Sequence, residues 1–231
     1  MAKLPKRDLP SYTVSLPVSN LHIAYRPYTV KEQKLMMLAA QSTDEEAIKH
    51  ALFELVDNCT DVESRTLCDA DFEFLFLKLI SASVSPVAQA EITHDCMKPG
   101  CPINHPCAIN LDDVQVEGLG VLEGYEKRKE YYIIKFDETS GVCMKPVSSK
   151  DTPEQTIFAS VVSVYDADGV YDEFSEDDLM NYVDGLTGAE FAQIQKFLDA
   201  QPYCSTRANA KCQKCSKTIS SDLKGVIDFL A

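Results

Sequence analysis

The chain has 231 residues, 45% hydrophobic and 25% charged, enough to bury one large core or two small ones without covalent staples. With 36 acidic against 22 basic residues the net charge is −14, which repels phosphate backbones and anionic lipid. General nucleic-acid binding and membrane-surface binding are therefore not expected, and an acidic assembly protein or enzyme fits better.

The N-terminus "MAKLPKRDLPSY" has charge and proline but lacks the apolar stretch of a secretory signal, and no run approaches a membrane span. The expected compartment is a reducing cytoplasm, where nine cysteines read as buried thiols and metal ligands. Residues 1–28 read as an extended arm: "YTVSLPV" and "LHIAYRPY" alternate in polarity between prolines. Its apolar positions Leu16, Leu21, Ile23 and Tyr25 suit either a partner's sheet edge or the chain's own core.

A helical region is expected over residues 29–85. Thr29 with Glu32, and Thr43 with Glu46, have capping-box spacing ahead of helical patterns. In the second of these, Ile48, Leu52, Leu55 and Cys59 form one apolar face. A third helix, "DADFEFLFLKLISAS", is apolar nearly all round and should be central, with Asp71 and Lys78 on its wet edge.

Residues 86–150 read as a β region. "VAQAEITH" and "CAINLDDVQVEG" are expected strands around the proline-rich turn "CMKPGCPINHP", followed by "EYYIIKF" and "GVCMKPV". A second helical region spans 151–201. Pro153 at the first helical position opens "PEQTIFASVVSVY", Ser175 caps "SEDDLMNYVDG", and Thr187 with Glu190 boxes "TGAEFAQIQKFLDA". A cysteine hairpin over 202–231 closes the chain. The expected class is α+β: a helical core in two parts, a small β region, and a zinc-ribbon-like cysteine module joining the inner hairpin to the C-terminus.

The cysteines carry the strongest chemical signal. Two thiolates two to four residues apart on a tight turn present both sulfurs to one ion, as tetrahedral zinc requires. Cys212 and Cys215 have that spacing, and so do Cys96 and Cys101 on a loop shaped by Pro99 and Gly100. Cys107, Cys204, His94 and His105 are possible substitutes. Six cysteines in two triplets fit one four-thiolate site with two spares, or two sites that each need a histidine. Arg207, Lys211, Lys214 and Lys217 surround the last pair and would offset the charge of a zinc–thiolate centre. Plain turn thiols, or a redox pair in "CQKC", are the competing readings; the second lacks the helix N-terminus that lowers a thiol pKa.

Other motifs are weaker. In "VYDADGVYDEFSEDD" a calcium loop centred on Gly169 gains Asp166 and Asp168 but finds Val164 and Ser175 at its end positions, so an acidic turn is expected. No glycine-rich phosphate loop, nucleophile elbow or two-histidine helix motif occurs, and catalysis is not expected.

Taken together, "LPSYTVSLPVSN", "YTVKEQKLMMLAA", "AIKHALFELVDNC", "LCDADFEFLFLKLISASVS" and "CQKCSKTISSDLKGVIDFL" resemble the baseplate hub assembly proteins of T-even-like contractile-tailed bacteriophages. The resemblance implies a non-enzymatic assembly factor or minor subunit of the baseplate hub, made in the host cytoplasm and able to remain in the virion tail. Its partners would be other hub or tail proteins, with self-association left open. Cys212 and Cys215 stand on the family's terminal cysteine pair and Cys96 and Cys101 on its inner pair, here separated by four residues rather than two. On this basis a structural zinc held by Cys96, Cys101, Cys212 and Cys215 is expected. A zinc-ribbon adaptor for nucleic acid or protein is the alternative, and a thiol redox protein the second.

Overall fold

The computed structural model describes residues 7–39, 41, 44–94, 100–101, 103–122, 124–128, 131–147, 152–225 and 228. The fold is α+β, and the chain divides into two compact units. The first comprises Met1–Arg65, Asp71–Gln115 and Cys204–Ala231, and the second Thr66–Ala70 and Val116–Tyr203.

In the first unit the N-terminal arm folds on itself. Strands β1 (Tyr12–Ser15) and β2 (His22–Tyr25) pair antiparallel, with Tyr12 opposite Tyr25 and Ser15 opposite His22. Leu16, Val18 and Ile23 are buried, so the arm covers its own unit's core, while Leu21 stays exposed. Asp71, on helix α3 (Asp69–Ser83), accepts hydrogen bonds from the backbone N–H groups of Val18 and Ser19, both at 2.9 Å. The expected wet edge of α3 is thus half wrong. Asp71 is buried because it supplies the acceptors that the turn between β1 and β2 needs, whereas Lys78 reaches Asp112 at 3.2 Å. Leu75, Phe76, Leu77 and Leu79 are all fully buried, as an all-round apolar helix requires.

Helices α1 (Val30–Ala39) and α2 (Glu45–Cys59) pack on each other. Asp44 caps α2 by accepting from the Glu46 N–H; Thr43 lies outside the described residues. Cys59 is buried on the apolar face, and burial pushes its thiol up to about 11.

At the start of α1 the backbone N–H and hydroxyl of Thr29 both donate to Glu32, and Arg26 pairs with the same carboxyl at 3.1 Å. Burial alone would raise the Glu32 pKa, but these donors outweigh it and hold the group at about 2. A carboxyl depressed on folding stabilises the protein above its unfolded pKa and loses that contribution as pH falls through the folded value. Glu32 should therefore contribute about 2–3 kcal/mol at neutral pH. The contribution should disappear between roughly pH 4.5 and 2, which urea-denaturation midpoints can follow. Glu32→Gln should be less stable at pH 7 and flatter across that window; parallel curves for the two proteins would refute the assignment.

The remainder of this unit is two hairpins. Strands β3 (Val87–Thr93) and β4 (Asn104–Asn110) pair from Val87 opposite Asn110 to Thr93 opposite Asn104. After β4 comes the short strand β5 (Gln115–Glu117). Near the C-terminus β11 (Tyr203–Lys211) and β12 (Thr218–Lys224) pair from Ser205 opposite Lys224 to Lys211 opposite Thr218, and β12 packs beside β3.

The second unit is built on an antiparallel sheet in the order β10-β9-β8-β7-β6, where β6 is Glu126–Arg128, β7 Tyr131–Lys135, β8 Gly141–Met144, β9 Val161–Tyr165 and β10 Val170–Tyr171. Between β5 and β6 lies the single-turn helix α4 (Leu119–Leu122). Helices α5 (Pro153–Ser160), α6 (Glu176–Asp184) and α7 (Gly188–Asp199) enclose a core with the sheet. That core includes Ile134, Val142, Met144, Leu179, Ile194 and Phe197. Pro153 opens α5 as the sequence predicts, with Thr152 as its cap; the expected Ser175 cap forms a complete box with Asp178, and the expected Thr187–Glu190 box is present.

One expectation fails here. "PEQTIFASVVSVY" is not a single helix, because it turns into β9 at Val161. The β-branched residues Val161, Val162 and Val164 pack better on a pleated surface, and β8 offers them a partner. Ser160 holds the switch point by donating from its hydroxyl to the Lys145 carbonyl at 2.7 Å. Beside β9, Gly141 must be glycine for lack of space, since a Cβ there would lie 2.3 Å from the Ile134 carbonyl oxygen.

Candidate metal centre

Within the first unit, the turn of the β3–β4 hairpin and the turn of the β11–β12 hairpin bring four ligand-bearing residues together. The ligand atoms of His94, Cys101, Cys212 and Cys215 all lie within 4.8 Å of one another. His94 Nε2 is 3.3 Å from Cys215 Sγ. Four ligands at zinc–sulfur and zinc–nitrogen bond lengths stand about 3.3–3.8 Å apart around a tetrahedral ion. The cluster is thus close to the size that one ion needs, and it can hold a metal.

Each pair is positioned by local backbone. The Cys212 N–H donates to the Lys217 carbonyl at 3.0 Å, and the Ser216 N–H to the Cys212 carbonyl at 2.8 Å. Ser216 has a positive φ of 61°, so the chain turns back directly after the second cysteine with both sulfurs near one point. On the facing turn Gly100 has φ 78°, immediately before Cys101. That conformation favours glycine, and a Cβ on Gly100 would lie 3.1 Å from Lys214 Nζ, so the two turns meet closely here. His94 continues β3 beyond its last paired residue, and its N–H donates to the Ile103 carbonyl at 2.6 Å. Hairpin register, and not short spacing, delivers this imidazole to the cysteines.

His94 and Cys212 are buried, and Cys101 and Cys215 are partly exposed. Three thiolates and a neutral imidazole around a divalent ion leave about one excess negative charge, which a nearby cation offsets. Lys214 is placed to do so. Arg207 faces Asp222 across its own hairpin at 4.0 Å.

The other described candidates are not members of the cluster. Cys96 is outside the described residues. Cys107 is buried in β4 and its thiol donates to the Ala90 carbonyl at 3.5 Å; burial pushes its pKa up. Cys204 is fully buried in β11 and does not belong to the cluster. His105 packs its ring on His94 with centroids 5.4 Å apart, and its buried Nε2 has no hydrogen-bond partner among the described residues. The Asp166 segment is an acidic turn, with Asp166 Oδ1 accepting from the N–H groups of Asp168 and Gly169 at 2.8 and 3.1 Å.

A family model described as T4 bacteriophage base plate protein matches residues 9–231, nearly the whole chain, and the protein belongs to that family. No curated protein and no solved structure gives a significant match. Membership implies a place in the phage tail and interaction with other tail or baseplate proteins. Among the described residues, no helix is long and apolar enough to cross a membrane.

Proposed function

We propose that the protein is a non-enzymatic participant in baseplate hub assembly, as an assembly factor or minor subunit, and that a structural zinc locks its two cysteine-bearing hairpins together. The observation that carries the metal part is the convergence of His94, Cys101, Cys212 and Cys215 within 4.8 Å, in a donor set of three sulfurs and one nitrogen that zinc prefers. All four places belong to protein side chains, which is the pattern of a structural rather than a catalytic zinc. The family match supports the baseplate role. The protein would act in the host cytoplasm while tails are built and stay with the baseplate where it is a subunit.

Two measurements test the two parts separately. Elemental analysis of protein purified under reducing conditions should find near one zinc per chain; folded protein without metal, with Cys215 rapidly alkylated, would favour thiol chemistry instead. Cells infected by a phage whose copy of this gene carries an early stop codon should contain no complete baseplates by electron microscopy. Normal infectious tails from that phage would sink the assembly role.

A further inference from the structure

The second unit carries a surface with a different chemistry. Between residues 152 and 195 the chain has ten Asp and Glu and no Lys or Arg. In this segment the β9–β10 hairpin and α6 line an open pocket of about 300 Å³. Val164, Tyr171, Phe174 and Tyr182 wall it, with Asp166 and Asp178 in its lining. Phe174 and Tyr182 pack against the unit's core, and Phe174 meets Phe158 edge to face at 6.4 Å, so these walls are fixed before anything binds. Strand β10 is the edge of its sheet and leaves Val170 and Tyr171 exposed.

The two carboxylates are only half used. Asp166 engages the hairpin turn and the Tyr171 hydroxyl through Oδ1, and Asp178 engages the α6 cap through Oδ2. Among the described residues, no Lys or Arg forms an ion pair with either. Aromatic faces attract cations, and a charged pocket beside an apolar wall suits a side chain with an aliphatic stem and a cationic head.

We propose that this pocket and the β10 edge form a docking surface for a basic, extended segment of a partner protein, with one Lys or Arg side chain seated among Tyr171, Phe174 and Tyr182 against Asp166 and Asp178. Charge selects the occupant: an acidic strand meets Asp166 and Asp178 in the pocket and is repelled, whereas a basic one pairs with them. The β10 edge supplies backbone donors and acceptors for the segment, and the pocket reads one of its side chains. This deepens the reading of the chain as a protein that works by binding other proteins. It does not depend on the metal centre, so zinc-loaded protein that fails to bind such a segment would remove only this surface.

The probe is a synthetic strand peptide, Ac-KVRVKV-amide, titrated into isotope-labelled full-length protein and followed by NMR. Shift changes should concentrate in residues 164–182, and binding should weaken with added salt. The double substitution Asp166→Asn, Asp178→Asn keeps the acceptor oxygens that form the turn and cap while removing both charges, and it should weaken binding at least tenfold. A peptide with glutamate in place of Lys and Arg should not bind. Shifts scattered over the whole acidic surface, undiminished binding to the double variant, or equal binding of the glutamate peptide would each overturn the proposal.

Discussion

Cys212→Ser should reduce zinc from near one per chain to near none and destabilise the first unit by roughly 5 kcal/mol or more, because structural zinc in small isolated domains contributes roughly 10–16 kcal/mol. Cys212 is the ligand to choose because it is fully buried and its backbone N–H and carbonyl both close the turn that presents Cys215. The loss should appear as early thermal unfolding and as cleavage in the β11–β12 hairpin on limited proteolysis. Cys107→Ser is the control. It changes another buried thiol, one outside the cluster, and should keep its zinc and lose only about 1 kcal/mol. Equal zinc content in the two variants, or unchanged stability in Cys212→Ser, would show that Cys212 does not hold a structural metal.

The second large effect is expected at Asp71. It is 1% exposed and accepts two backbone hydrogen bonds from residues more than fifty positions upstream. Hydrogen bonds to a charged group are worth about 1.5–3 kcal/mol each, and removing the acceptor strands the buried Val18 N–H without a partner. Asp71→Ala should therefore cost about 3–4 kcal/mol and release the arm over residues 12–25 to proteases. Asp71→Asn keeps one good acceptor and should fall about midway. A change under about 0.5 kcal/mol for Asp71→Ala would mean that the arm is held by Leu16, Val18 and Ile23 alone.

What could be read in the sequence follows from how locally each feature is encoded. The starts of α5, α6 and α7 depend on residues three apart, and their Thr or Ser caps are visible without any tertiary knowledge. The pair Cys212 and Cys215 is equally local, because one turn places both sulfurs. Asp71 could not be read correctly: in an apolar helix an aspartate signals water, and the N–H groups that reverse this meaning come from a distant turn. The strand at Val161 was hidden because a helix with a clean proline start runs directly into a valine-rich stretch with no turn residue between them. His94 stood among the substitutes for a related reason. It is separated from Cys101 by more than a knuckle spacing, and the pairing of β3 with β4 cancels that separation.

The placement of the cluster along the chain has a consequence for biosynthesis. Cys101 and Cys212 are 111 positions apart, and the main segment of the second unit, Val116–Tyr203, lies wholly between them. At a translation rate of roughly 5–20 residues per second, Cys101 leaves the ribosome about 6–22 seconds before Cys212 does. By the end of that interval the five-stranded sheet and its helices, which finish at Asp199, have every residue they require, while His94 and Cys101 still lack the two cysteines of the second turn. The inserted unit can therefore fold first, and at the proposed zinc site capture of the ion would be a late event that needs a chain translated past Cys215. A ribosome that stops short would leave the proposed site without its second pair of ligands, so a bound ion would report that synthesis had passed the second hairpin's turn.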